Sequence, residues 1–209
     1  MPSGTPTRPS PRRVHTIRFG LAAVSLALIS SCTTWASFDQ KQIDLASQRA
    51  STAADLLFQR LSGELSTAMT NGGPTAAVLV CKDRAPEIAA EIESTTGVDI
   101  ERTALRFRNT ANAPDEWEAE MMAAFAARRM NGEEWKDMSA TRIDGEQLRW
   151  MRPIPLGPMC AVCHGEDAQI AQDTRRALAE IYPNDNAVGF RDGELRGAFT
   201  ARVPLTGAR

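Results

Sequence analysis

The sequence predicts an α+β chain in which a long N-terminal helix and shorter helices flank an antiparallel β-sheet. Three observations predict it. An alanine-rich helical run stands at the front, Asp-Gly turn signals fall at 144–145 and 192–193, and one helical stretch separates the late strands. With 209 residues, 43% hydrophobic and 24% charged, the chain has room for one globular domain plus a removable leader.

The leader comes first. Residues 1–32 carry Arg8, Arg12, Arg13 and Arg18, no acid, and the apolar run Phe19–Ile29, which is short for a bilayer span. Ile29-Ser30-Ser31-Cys32 resembles a bacterial lipobox, which makes Cys32 the expected lipid-bearing first residue of a periplasmic, membrane-anchored protein. Ordinary cleavage after Ala36 is the rival, and it too delivers the chain to the periplasm. Arg12-Arg13 is a weak twin-arginine match. Residues 1–32 are therefore read as a signal peptide and 33–209 as the domain, which holds 20 basic against 26 acidic side chains, a formal charge of −6. That balance argues against nucleic acid or an anionic membrane surface as a partner.

After a short tether, Leu57, Leu61 and Leu65 recur every four residues in a helix from about Gln40 to Met69, which Asn71-Gly72-Gly73-Pro74 is expected to stop. It is expected to pack on the domain, and its length permits a homodimer. A second helical stretch spans Pro74–Thr95, with Cys81, Ala85, Ile88 and Ile92 on one face and a break or kink at Pro86. Val98–Arg108 reads as a strand whose alternation sets Leu105 and Phe107 against Arg106 and Arg108. Pro114 introduces a helix with Trp117, Met121 and Phe125 in one stripe, ending near Asn131-Gly132. Glu134–Ile143 and Gln147–Ile154 flank Asp144-Gly145 as a hairpin, ended by Pro153, Pro155 and Pro158. A helix over about Ala168–Ile181 comes next, then a second hairpin at Asp192-Gly193 with the return strand Leu195–Val203, in which Gly197 lets something bulky approach the backbone.

The chemistry concentrates at Cys160-Ala161-Val162-Cys163-His164. C-x-x-C-H is the attachment pattern of a covalent c-type haem. Two thiols three residues apart reach two vinyl groups of one porphyrin edge, and the next residue offers its imidazole to the iron. A zinc site would want a second C-x-x-C or another histidine, and a thioredoxin-like pair would want a cytosolic βαβ setting; the sequence supplies neither. Since His15 leaves with the leader, His164 is the one histidine of the mature chain, and Cys81 remains as an odd thiol in an oxidising compartment.

Several segments together resemble a family of periplasmic PAS-like single-haem c domains of unknown function, often found ahead of histidine kinases or chemoreceptors. They are Val80–Ala89 around Cys81, Arg106–Asp115, Cys160–Gly165, Tyr182–Phe190 and Gly193–Phe199, in the family's order and spanning about Ile43 to Val203. The resemblance implies a PAS-like antiparallel sheet with flanking helices and the haem held against it. No transmembrane helix or signalling domain follows in this sequence, so the family's usual sensor output is expected to be missing.

His164 is the expected proximal ligand. The distal position is open to Cys81, a methionine, a lysine, water or nothing; the resemblance places the Cys81 segment near the haem, and thiolate ligation by Cys81 is the expectation, giving a low potential. Cys81 as a small buried hydrophobe is the rival reading. Met159 adjoins the attachment site, and Met121, Met122, Met130, Met138 and Met151 suit core packing better. Arg106 and Arg108 are candidates to bind haem propionates, with Arg149 and Arg152 as rivals. Trp150, Tyr182 and Phe199 are candidates to line the pocket.

One histidine committed to iron excludes a Ser-His-Asp set, and no phosphate-binding glycine pattern occurs. The expectation is a non-enzymatic redox or small-gas sensor, responding to CO or NO through displacement of Cys81, or else a single-electron carrier serving a periplasmic redox partner.

Overall fold

The computed structural model describes residues 38–205 together with Met1; Cys32 and the leader lie outside the described residues. The elements in order are helix α1 (Gln40–Leu79), α2 (Ala85–Thr96), strand β1 (Asp99–Thr103), α3 (Glu116–Met130), β2 (Ala140–Asp144), β3 (Gln147–Pro155), α4 (Pro158–His164), α5 (Gln172–Ile181) and β4 (Leu195–Pro204). The four strands form one antiparallel sheet in the order β1-β4-β3-β2. This is an α+β fold. Among the described residues no helix is long and apolar enough to cross a membrane.

Helix α1 begins at a reciprocal capping box, Asp39 accepting from Gln42 N at 2.8 Å and Gln42 accepting from Asp39 N at 2.9 Å. Ala46, Ala50, Ala53, Ala54, Leu57 and Leu61 share its buried face and pack on Trp150, Phe199 and Ala201 of the sheet. The small alanines let helix and sheet approach closely. Helix α3 covers the opposite face of the sheet, where Trp117, Met122 and Phe125 meet Met138, Met151 and Ala198.

The expected stop at Asn71–Pro74 is instead a kink. Only Gly73 leaves helical geometry (φ 67, ψ −161), and Pro74 then sits in a new first turn, where a missing N–H does no harm. The expected break at Pro86 appears as a π-turn over Val80–Arg84, in which Ala85 N bonds Val80 O rather than the carbonyl four residues back. Pro86 has no N–H to give Lys82, which makes the wider turn cheap.

The strand expected over Val98–Arg108 ends at Thr103; residues 105–109 are irregular, so Arg106 and Arg108 do not share a strand face. The 134–143 strand shortens to β2 because Trp135–Asp137 take a 3₁₀ turn. Its two-residue hairpin to β3 stands, with Gly145 at φ 61. Among the described residues there is no second hairpin: the turn at Asp192-Gly193 leads into β4 from a loop, and β4 pairs with β1 and β3 instead. Gly197 admits backbone, since a Cβ there would lie 2.5 Å from Thr103 O.

Candidate cofactor site

Helix α4 places Cys160, Cys163 and His164 at i, i+3 and i+4, so the three side chains lie on one helical face. Pro158 opens that helix at a position that needs no N–H. Together with Cys81 these groups line a cavity of about 660 Å³, inside the roughly 300–1,000 Å³ typical of small-molecule sites. Its other walls come from Leu65, Met69 and Val78 of α1, the end of β1 and the start of β4. The three cysteines of the described residues are all free thiols.

His164 is held from behind. Its Nδ1 lies 2.6 Å from Ala187 O, and because a carbonyl only accepts, Nδ1 carries the proton and Nε2 keeps its lone pair. Burial, followed by the positive charges of Arg196 and Arg108, holds the imidazole pKa well below 6.5, so the ring is neutral at pH 7. A neutral histidine with its second nitrogen anchored to a carbonyl is the usual preparation of a metal ligand. Burial also raises the Cys163 pKa against the opposing pull of Arg108.

Arg108 ties the anchor together. Its guanidinium donates to Asp185 at 2.9 Å, to Cys163 O at 2.6 Å and to Ala187 O at 3.4 Å. Asp185 in turn accepts from Ala187 N at 2.7 Å. Gly189 N and Phe190 N bond Gly165 O and His164 O, closing the 185–190 loop over the end of α4.

The model of the Tll0287-like family matches residues 39–204. The chain belongs to the Tll0287-like family. The crystal structure of the cyanobacterial heme-protein Tll0287 matches this fold with a TM-score of 0.58 at 24% identity, covering 82% of this chain and 100% of that one. A search of the curated proteins finds no match.

In this Tll0287-like domain the residues anticipated from sequence divide. Cys81, Cys160, Cys163, His164 and Arg108 line the cavity, as do Tyr182 and Phe199. Arg106 does not: it stacks 3.5 Å over the Phe190 ring and pairs with Glu194 at 3.5 Å. Arg149 is buried toward α3 with Glu118 (3.1 Å), Asp115 (2.7 Å) and the Trp117 ring, while Arg152 bonds Asp55 and Ser51 of α1. Trp150 belongs to the core. Of the methionines weighed from sequence, only Met159 reaches the cavity wall.

Among the lining residues that sequence patterns do not single out, three bear on the chemistry. Met69 continues the stripe Leu57, Leu61, Leu65 by one more turn, a signal that could have found it. Arg102 follows Ile100 in strand alternation, and burial pattern alone does not mark it as a site residue. Arg196 gives no periodic signal. Burial, then the charges of Arg108 and Arg102, pushes its pKa down to about 10, and its Nε is buried without a hydrogen-bond partner.

Proposed function

We propose that the chain is a periplasmic, lipid-anchored monohaem c-type protein of PAS-like fold, acting as a redox or small-gas sensor. The observation that carries the reading is the convergence of both C-x-x-C-H thiols, an anchored neutral His164 and the spare thiol Cys81 on one cavity of about 660 Å³. Haem supplies one-electron chemistry at its iron. Cys160 and Cys163 would hold it by adding their S–H groups across the vinyl double bonds, forming two thioethers with no oxidant required. His164 is placed to ligate through Nε2, with Ala187 O fixing the ring. Cys81 is the proposed distal ligand, and its place in a π-turn, a feature frequent at functional sites, supports a ligand that can be released.

Electron transfer to a periplasmic partner is the second reading. The exposed apolar side chains Met159 and Val162 at the cavity wall favour it, since they would leave one haem edge near the surface. We read neither role as enzymatic. The deciding experiment is optical and EPR spectroscopy of periplasmically matured protein, with a pyridine haemochrome assay and CO or NO added after reduction. A covalent haem with a low-spin thiolate signature and ready gas binding supports sensing. A gas-inert His–Met signature moves the reading to electron transfer, and absence of covalent haem refutes both.

A further inference from the structure

The cavity is electrostatically lopsided. Among the described residues its charged lining consists of Arg102, Arg108, Arg196 and the exposed Asp173. Arg108 is neutralised by Asp185, an ion pair with side-chain exposures of 7% and 10%. Arg102 and Arg196 have no acidic partner among the described residues. Arg196 donates to the backbone carbonyl of Arg106 at 3.2 Å, yet its Nε is buried with nothing to bond. An enclosed guanidinium beside two others is costly unless an anion arrives to meet it.

The backbone shows that this placement is built in. Along β4, Phe199, Ala201 and Val203 face α1, whereas Ala198 and Thr200 face α3. By alternation Arg196 would also turn toward α3. However, Ile154 pairs with Gly197 and Pro155 with Leu195, so a β-bulge makes Arg196 the extra residue. Bulges re-aim single side chains beside functional sites. Here the bulge sends Arg196 to the cavity. Arg102 arrives by ordinary pairing: it sits opposite Phe199 and shares that residue's face.

We propose that Arg196 and Arg102 form the anion-binding pole of the cavity and hold the two carboxylates of its cofactor, the haem propionates, in place of Arg106 and with Arg108 confined to anchoring the attachment helix. This rests on the haem reading above. Two monoanionic carboxylates match two unpaired guanidiniums, each able to fork onto one carboxylate.

The test uses holoprotein matured in the periplasm. Pyridine haemochrome first establishes covalent haem, so that failure of the haem reading is separate from failure of this assignment. Resonance Raman then follows the propionate bending mode, and redox titration gives the midpoint potential, in Arg196→Gln, Arg102→Gln and Arg106→Gln. The expected result is a shifted propionate mode and a lowered potential in the first two, because loss of a nearby cation favours the ferric state, with Arg106→Gln like wild type. Arg196→Lys should restore the potential but not the mode, since it keeps the charge and loses the fork. Should Arg196→Gln fail to accumulate, Arg102→Gln, on the half-exposed end of β1, carries the test. A propionate mode unmoved by Arg102→Gln and Arg196→Gln, or one that moves in Arg106→Gln, overturns the assignment.

Discussion

Replacing Asp185 by alanine should destabilise the domain by about 3–5 kcal/mol, the range for removing one partner of a buried ion pair. The structure sets the magnitude. Side-chain exposures of 7% for Arg108 and 10% for Asp185 leave little water to screen the loss. The Arg108 charge would then stand near Arg102 and Arg196 without compensation, and Ala187 N, in a fully buried residue, would lose its acceptor. For a domain of this size, about 2–4 °C per kcal/mol puts the fall in melting temperature at roughly 6–20 °C. Thermal and urea melts of Asp185→Ala, Arg108→Met and the double variant at pH 7 measure it. The double variant should lose less than the sum of the singles, because it also removes the stranded charge. A single-variant loss under about 1 kcal/mol with strict additivity would place the pair with solvated surface bridges and refute the argument. The same substitution acts on the site, since Asp185 and Arg108 position the Ala187 carbonyl that holds His164.

Three further outcomes are expected. Cys81→Ala should leave haem covalently attached but convert the ferric spectrum from low to high spin; an unchanged low-spin spectrum would hand the distal role to Met69, which lines the same cavity. Gly197→Ala should destabilise by about 1–3 kcal/mol or more in a chemical melt, because the new Cβ would meet the Thr103 carbonyl at 2.5 Å; a neutral result would mean that β1 and β4 part easily. Asp115 has a lowered pKa because burial, which raises it, is outweighed by the Glu118 N–H and the Arg149 guanidinium. Its contribution is therefore fully present above about pH 4, the unfolded value, and lost as pH falls through the lower folded value. Melts of wild type and Asp115→Asn should converge across that window, and a constant gap from pH 5 to pH 2 would contradict the linkage.

The range of the interactions involved decides which features can be read from sequence and which cannot. The leading helix, the α3 stripe and the 144–145 hairpin are local patterns, and each appears in the structure with its buried residues largely as the periodicity implies. The three cavity groups of C-x-x-C-H are legible for the same reason, since i, i+3 and i+4 share a face of any helix. Glycine and proline read locally as punctuation, but their effect depends on the packing of the residues beyond them. Gly73-Pro74 bends a helix whose next turn, at Ala77 and Val78, has core to pack against, so the chain re-enters the helix. Strand ends depend on where partners run out: β1 stops at Thr103, paired with Ala198, and Arg106 and Arg108 then part company. No pattern in 105–109 discloses that Phe190 takes one arginine and Asp185 the other.

Arg196 shows why alternation fails most where function is concentrated. Period-two reasoning assumes an unbroken ladder, and a bulge shifts every side chain after it to the other face. The shift near Ile154/Pro155 comes where β3 has already lost β2 as a neighbour, since β2 pairing ends at Met151 opposite Ala140. Pro153 and Pro155 can lie there because no further strand needs their missing N–H groups. Beyond Met151 β3 is held by β4 alone, and there the bulge carries a guanidinium out of the pattern and into the cavity. From the sequence, Pro153-Ile154-Pro155 reads only as a strand terminator. Its effect on Arg196, about forty residues away, exists only through the pairing of β3 with β4.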